Sequence, residues 1–186
     1  MVFNTHDLSR EFNQVLRNWA LASDQADYQD GWLKRWSRKG ACAALTKMVG
    51  LAIPFARRSG FEVVAVGPGY LKARIPFSLN KNHINTMYAG ALFTLAELPG
   101  GILTLVNFSD DYYPLIKDLK MNYLKKATSD VTVEFRVSPE EMERLKREVL
   151  QNGKSNFLLK GELRDTSGEI VATSEGHYQM RSHSLR

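Results

Sequence analysis

The residue most suited to chemistry in this sequence is Glu97. It is the only ionisable side chain between Ala89 and Asn107, a stretch that is otherwise apolar nearly all the way round, as in a helix buried on every side. An unpaired carboxylate there is unfavourable, so we expect Glu97 either to pair with a nearby Lys or to act on a substrate. At about 100° per residue, it shares one narrow stripe with Gly90, Thr94, Gly101 and Thr104. Such a small, polar stripe suits a wall that faces a ligand or a subunit interface.

Length and composition are those of a soluble globular protein. The chain has 186 residues, of which 44% are hydrophobic and 24% charged, enough for one domain and an extension. A net charge of +5 suits an anionic ligand without requiring nucleic acid, and we predict no nucleic-acid partner. Glu97, Pro99 and two glycines interrupt the longest apolar run, so no integral membrane segment is expected.

Few residues are available for other chemistries. The single cysteine, Cys42, excludes an internal disulfide and a Cys-based zinc site, and we expect it to be a small buried hydrophobe. The four histidines are too scattered to predict a metal site. The N-terminus does not read as a signal peptide, which favours a cytoplasmic protein.

The first 56 residues are predicted to form a helical extension. Apolar residues recur at helical intervals over 6–22, with Thr5 as a plausible N-cap. A second helix carries Cys42, Leu45 and Val49 on one face and is expected to stop at Pro54. Between them, residues 31–39 combine two tryptophans with four basic residues. We interpret this stretch as a surface helix whose Trp faces pack on the domain, and contact with anionic lipid or with nucleic acid is the alternative.

Residues 57–186 are predicted to form an α+β domain. Alternating apolar residues indicate a hairpin, a buried helix, and then four more strands with one charged helix inserted. The predicted strands are 61–66, 70–77, 118–127, 131–137, 156–165 and 169–180, and the inserted helix is 139–153. Mostly antiparallel strands around one helix indicate a sheet wrapped over that helix.

This order of elements resembles the hotdog fold. Its local sequences resemble the phenylacetyl-CoA thioesterase-like branch of the acyl-CoA thioesterases, over about residues 60 to 180. That group has an Asn, a short loop, His-Gly-Gly at the start of the central helix, and an Asp within it. The matching residues here are Asn82, Tyr88-Ala89-Gly90 and Glu97. The stretches LKMNYLKKA and LRDTSGEIVA resemble the strand after the helix and the last hairpin of the group.

The resemblance implies hydrolysis of acyl-CoA, or of an acyl carrier, with no cofactor beyond the coenzyme A of the substrate. Glu97 would act as a general base on water or as a nucleophile. The backbone N–H groups of Ala89 and Gly90 would stabilise the oxyanion, and Asn82 would hold the water or the carbonyl. The family site lies across a homodimer interface, so Glu97 would face Asn82 of the other subunit. A dimer of dimers, that is a homotetramer, is the alternative assembly.

Five further residues are candidates for substrate binding. Tyr88 and Thr94 lie at the start of the central helix and in its polar stripe. His83 adjoins Asn82, where it is either a substrate contact or a loop histidine that donates to the backbone. Lys125 and Lys126 lie on or after a strand beside the helix, where they either meet coenzyme A phosphates or are solvated strand ends.

Three residues depart from the family pattern. Tyr88 replaces His, Ala89 replaces the first Gly, and Pro99 predicts a kink two residues after Glu97. These departures also fit a non-catalytic hotdog protein that binds acyl-CoA or a fatty acid. A hydratase on the same fold would need a His paired with an acid, and His83 is its only candidate.

Overall fold

The structure, a computed structural model, describes residues 32–108 and 111–183, with side chains from Lys39 onward. The predicted helix over 6–22 and its N-cap Thr5 lie outside the described residues. So do the side chains of the Trp-rich basic stretch up to residue 38.

The described residues form four helices and one six-stranded antiparallel sheet. The helices are α1 Trp32–Ala52, α2 Pro54–Ser59, α3 Ala89–Asn107 and α4 Pro139–Asn152. The strands are β1 Glu62–Gly67, β2 Tyr70–Ile75, β3 Tyr112–Tyr123, β4 Val131–Arg136, β5 Lys154–Arg164 and β6 Ile170–Ser182. Their order across the sheet is β1-β2-β4-β5-β6-β3, so β1 and β3 are its two edges.

Both predicted hairpins are present. β1 pairs with β2 across the short turn at Pro68 and Gly69, and β5 pairs with β6. In the second turn the Asp165 carboxylate accepts hydrogen bonds from the backbone N–H groups of Ser167 and Glu169, at 2.9 and 3.0 Å. The main difference is β3, which begins at Tyr112, six residues before the predicted start. Its first half is not strictly alternating in polarity, so periodicity alone does not reveal it.

Helix α3 lies against the inner face of this sheet. Strand β5 shows the alternation clearly, with buried Phe157, Leu159 and Leu163 facing inward between exposed residues. On α3, Leu95 and Ala96 are fully covered, and the helix contacts strands from β2 to β6. The prediction of an antiparallel sheet wrapped around one long hydrophobic helix is therefore confirmed.

The apolar character of α3 serves the interior of the domain. The helix is long enough and apolar enough, with a mean hydropathy of 1.6, to cross a membrane. The sequence predicts no membrane segment here, because Glu97, Pro99 and two glycines interrupt the apolar run. However, 67% of its most apolar window is buried inside the fold. This is the behaviour of a core helix in a soluble domain.

Helix α1 packs on the edge strand β1. Its residues Cys42, Leu45 and Val49 join the main core, which confirms the predicted face and the burial of the thiol. The Thr46 hydroxyl accepts a hydrogen bond from the Val63 backbone N–H at 2.9 Å, so α1 also covers a donor of the edge strand. The helix ends at Ala52, ahead of Pro54 as predicted. A domain boundary at residue 56 stays a prediction.

Tyr178 of β6 joins the sheet to α3. A Cβ atom at Gly100 of the helix would lie 2.2 Å from its ring, and one at Gly176 of β6 would lie 2.7 Å from it. Phe157 stacks on the ring with centroids 5.2 Å apart, and the hydroxyl donates to the Glu97 carbonyl at 2.7 Å. Two glycines therefore provide the space in which one buried ring fixes the helix on the sheet.

We expect Gly100→Ala to lower the free energy of unfolding by about 1–3 kcal/mol, because the new methyl group must displace the Tyr178 ring. Gly101→Ala is the matched control, since its Cβ would lie 3.8 Å from Pro114, an ordinary contact. The control should be neutral, or stabilising by up to about 1 kcal/mol from helix propensity. Urea denaturation of both variants measures the difference. Equal stability would show that Tyr178 does not hold the helix.

Candidate active site

The outward face of α3 differs from the stripe that its sequence suggests. Thr94 and Thr104 are buried, and each hydroxyl donates to the carbonyl four residues earlier, at 2.8 Å and 3.1 Å. This back-bonding satisfies a polar group that faces the core. Between Gly90 and Val106, the residues that remain accessible are Gly90, Phe93, Glu97, Gly101 and Leu105. We call this set the open stripe of α3.

Glu97 is the only ionisable residue of the open stripe and is half-buried. Within the part of the chain that the structure describes, no side chain or backbone group pairs with its carboxylate, so the expected Lys partner is not found there. Burial raises the pKa of the Glu97 carboxyl above its usual range. A carboxylate held in this way is a stronger base than one in water, which suits proton transfer near neutral pH.

The backbone carbonyl of Glu97 accepts a hydrogen bond from the sheet. The Tyr178 hydroxyl bonds the Glu97 carbonyl at 2.7 Å and lies 3.4 Å from that of Ala96. Burial, followed by the nearby charge of Glu97, raises the pKa of Tyr178, so its phenol stays a donor. Pro99 lies within α3, which continues through it to Asn107. The acid is thus positioned on a fixed turn of helix.

The start of α3 presents unpaired backbone donors. The N–H groups of Ala89 and Gly90 have no acceptor among the described residues, as expected for the first turn of a helix. The ring of Tyr88 lies over Gly90, where a Cβ atom would be 2.4 Å from the ring. From β3, the Tyr123 hydroxyl donates to the Ala89 carbonyl at 3.2 Å. Free N–H groups at a helix N-terminus can bind an anion or a partial negative charge.

Asn82 organises the loop before α3. Its side-chain oxygen accepts from the N–H groups of Ile84 and Thr86, both at 3.0 Å, and its amide donates to the Thr86 hydroxyl at 2.8 Å. One amide hydrogen remains for another partner. His83 is exposed in the same loop. Within one chain, Asn82 therefore shapes the approach to the helix start.

The remaining candidates lie in different settings. Lys125 is exposed and forms an ion pair with Glu169, whereas Lys126 is exposed without a described partner. Tyr88 is 56% exposed beside the helix start, whereas Thr94 is buried with its hydroxyl used. The structure therefore groups Tyr88, Ala89 and Gly90, sets Asn82 in the adjoining loop, and places Glu97 two turns along the helix.

Sequence reasoning did not single out two of the neighbours of this site. Phe93 is 42% exposed and lies one turn before Glu97. The spacing of four residues between them is visible in the sequence and could have revealed this neighbour. Tyr178 is 81 positions from Glu97. No local signal could have revealed that contact.

Three cavities lie elsewhere on the surface of the described residues. One of 920 Å³ covers charged residues of the outer sheet face, one of 870 Å³ lies between α1 and β1, and one of 480 Å³ lies beside α4. Glu97 lines none of these three cavities.

Comparison with known proteins places the fold. The family described as a domain of unknown function, DUF4442, matches residues 42–180. A Pseudomonas aeruginosa protein of unknown function, described as a probable thioesterase, is 41% identical with a TM-score of 0.72, over 76% of this chain and 95% of that one.

Two other solved structures are more distant. A candidate thioesterase from Shewanella oneidensis is 25% identical with a TM-score of 0.63, over 74% and 95% of the two chains. A thioesterase from Haemophilus influenzae is 14% identical with a TM-score of 0.61, over 76% and 90%, and shows the shared fold alone. None of the curated proteins matches this sequence.

The raised pKa of Glu97 predicts a pH-dependent gain in stability for Glu97→Gln. At pH values between the ordinary carboxyl pKa and the raised pKa of Glu97, the folded protein binds a proton that the unfolded chain does not bind. The native protein therefore loses stability as pH rises through this window. We expect Glu97→Gln to be more stable than the native chain at roughly pH 7, with the difference lost below about pH 4.

Glu143→Gln is the control for this experiment, because Glu143 is exposed and an ion pair with Lys146 lowers its pKa. Its substitution should give no gain at neutral pH. Thermal unfolding across pH measures both variants. A Glu97→Gln protein no more stable than native at neutral pH would show that an attractive interaction offsets the burial.

Proposed function

The chain belongs to the DUF4442 family, and from that premise we propose that it hydrolyses acyl thioesters of coenzyme A or of an acyl carrier, with Glu97 as the assisting carboxylate. The observation that carries the proposal is the state of Glu97: half-buried, raised in pKa, and unpaired within the described residues. The thioesterase descriptions of proteins with this fold support the reaction class. No cofactor is needed, and a cytoplasmic location is part of the proposal.

In the general-base route, ionised Glu97 takes a proton from water while the water oxygen attacks the thioester carbonyl. The N–H groups of Ala89 and Gly90 stabilise the negative charge that develops on the carbonyl oxygen. The carbon–sulfur bond then breaks, and the thiolate takes the proton held by Glu97 and leaves as the free thiol. In the nucleophilic route, a Glu97 oxygen attacks the carbonyl carbon instead, and the carbon–sulfur bond breaks to release the thiolate. Water then hydrolyses the resulting acyl anhydride and restores the Glu97 carboxylate.

The spacing within one chain favours a site shared by two chains. Glu97 is seven residues beyond Gly90, which is about 10 Å along a helix. A base and an oxyanion donor that serve one carbonyl must both lie within hydrogen-bond reach of the reacting atoms. We therefore propose that Glu97 of one subunit works with Asn82, Ala89 and Gly90 of a second copy.

An interface that fits this arrangement surrounds the open stripe. Strand β3 is an edge of the sheet, paired on one side only with β6. The exposed large apolar residues of α3, β3 and the residues next to them are Tyr88, Phe93, Leu115, Ile116, Tyr123 and Leu124. An open edge bordered by apolar side chains is suited to pairing with a second copy, which gives a homodimer, alone or as half of a homotetramer.

The coenzyme A moiety would lie near the end of β3. Lys126 is free to meet a phosphate, whereas Lys125 would first have to leave Glu169. Tyr88 and His83 border the same region and are proposed as substrate contacts, while Thr94 could contribute only after breaking its bond to the Gly90 carbonyl. The apolar surroundings favour a hydrophobic acyl group.

The reaction is tested by release of free thiol from short, long and aromatic acyl-CoAs. We expect the native chain to turn over at least one class and Glu97→Gln to lose roughly 100-fold or more in kcat, as for removal of a catalytic acid–base group. The pH profile of kcat/KM should rise through the raised pKa of Glu97. Glu143→Gln is the matched control and should keep full activity. Undiminished turnover by Glu97→Gln would remove Glu97 from the mechanism.

The shared site is tested by Ile116→Lys on the edge strand. A charge buried at the proposed interface should yield monomers with little activity, because each subunit then lacks the donors of the other. Leu150→Lys on α4, which is 72% exposed, is the control and should leave assembly unchanged. Light scattering with size-exclusion chromatography gives the mass. A fully active monomer would refute the shared site.

A second candidate is a non-catalytic protein that binds acyl-CoA or a fatty acid. The bonds of Asn82 favour it, because both acceptor positions of its side-chain oxygen serve the loop. Tyr88 at the position of the family His also favours it. This reading predicts saturable acyl-CoA binding by calorimetry with no release of thiol from any substrate.

A further inference from the structure

Five consecutive apolar residues, Leu51-Ala52-Ile53-Pro54-Phe55, are all exposed where α1 meets α2. Leu51 is 68%, Ile53 40% and Phe55 50% exposed. We call this run the apolar junction. Single exposed apolar residues are common, but a contiguous run is a mark of an interaction surface.

The apolar junction is held in a fixed position. Val49 before it and Ala56 after it are buried in the core. The Ile53 N–H bonds the Val49 carbonyl at 2.8 Å, and Phe61 N–H bonds the Ala56 carbonyl at 3.0 Å. Nearby, Leu79 is 63% exposed and adjoins Gly60, the residue that ends α2. The fold thus presents these side chains to solvent on a rigid base.

The charge of α1 and α2 is of one sign, and the acid that follows them, Glu62, is ion-paired with Arg74. Residues 32–59 contain seven Lys or Arg and no Asp or Glu. The chain as a whole is +5, so all other residues together are −2. Exposed Lys47 precedes the junction, and exposed Arg57 and Arg58 follow it directly, with no ion-pair partner among the described residues. Of these seven cations, Lys47, Arg57 and Arg58 are the nearest in sequence to the exposed apolar run.

We propose that the apolar junction docks on the surface of an anionic lipid bilayer, with Leu51, Ile53 and Phe55 inserted at headgroup depth. Lys47, Arg57 and Arg58 then lie against the lipid phosphates. A bilayer surface offers dense negative charge and an apolar layer directly beneath it, which matches the two features of this region. The inference is independent of the thioesterase activity.

Two other occupants fit these features less well. A second copy of the chain in a symmetric contact would bring the same cations together, which is repulsive. Single-stranded nucleic acid binds through aromatic stacking, and the junction has only Phe55 for that purpose. Neither uses the aliphatic side chains of Leu51 and Ile53 together with the cations.

The test is co-sedimentation of the full chain with phosphatidylcholine vesicles, with and without about 30% phosphatidylglycerol. We expect binding to the anionic vesicles only, weakened about tenfold or more when salt is raised from roughly 0.1 to 0.5 M. Each surface cation contributes roughly fivefold to partitioning, so Arg57→Glu with Arg58→Glu should lose at least about 25-fold. Leu51→Ser with Phe55→Ser should also weaken binding about tenfold or more.

Matched control variants distinguish the effect of the junction from effects of net charge and of exposed apolar side chains in general. Arg147→Glu with Lys154→Glu changes the net charge equally but lies on α4 and β5, so binding should fall far less than for the arginine pair. Leu150→Ser with Leu158→Ser removes two similarly exposed apolar side chains, 72% and 43%, and should leave binding unchanged.

Depth is measured with a dye. Because Cys42 is buried, a thiol-reactive nitrobenzoxadiazole can be placed selectively on Phe55→Cys, or on Glu143→Cys as the control. Its emission should rise and shift to the blue at position 55 alone. Failure of the full chain to bind anionic vesicles would overturn the proposal. This is the result expected if another part of the chain covers the junction. Equal binding to neutral vesicles, or equal loss in the control variants, would also overturn it.

Discussion

The contact between Tyr178 and α3 is the constraint on which the rest of the site depends. Its ring fits only because Gly100 and Gly176 lack a Cβ atom, and its hydroxyl bonds the carbonyl of Glu97. This fixes both the position of the helix along the sheet and its rotation about its own axis. A rotation by one residue, about 100°, would turn a different set of side chains outward.

That rotation sets the environment of the Glu97 carboxylate. Glu97 reaches the boundary between core and solvent, where burial raises its pKa while access remains. The same rotation turns Thr94 and Thr104 inward, where helix carbonyls satisfy them. A helix that was apolar all round would fill the core equally well but would leave no ionisable group at this boundary. The open stripe thus combines packing with an accessible carboxylate.

The surface has two electrostatic regimes. On the outer face of the sheet, cations and acids alternate in ion pairs such as Lys72–Glu134 and Lys160–Glu175, which keep that face solvated and nearly neutral. Within α1 and α2, Lys and Arg occur without any Asp or Glu, and apolar residues lie exposed between Lys47 and Arg57. The first surface is neutralised by its own ion pairs, whereas Lys47, Arg57 and Arg58 have no ion-pair partner among the described residues.

The sequence alone predicted most of the elements and the candidate carboxylate, because both leave local signals. Alternation in the strands, the stop at Pro54 and the apolar run around Glu97 are properties of neighbouring residues, and they predicted the sheet, the central helix and the carboxylate. Only the tertiary structure decided which face of α3 is open and that Asn82 holds its own loop. These outcomes rest on contacts between distant segments, such as Tyr178 with Glu97, and on competition among hydrogen-bond partners that periodicity does not record.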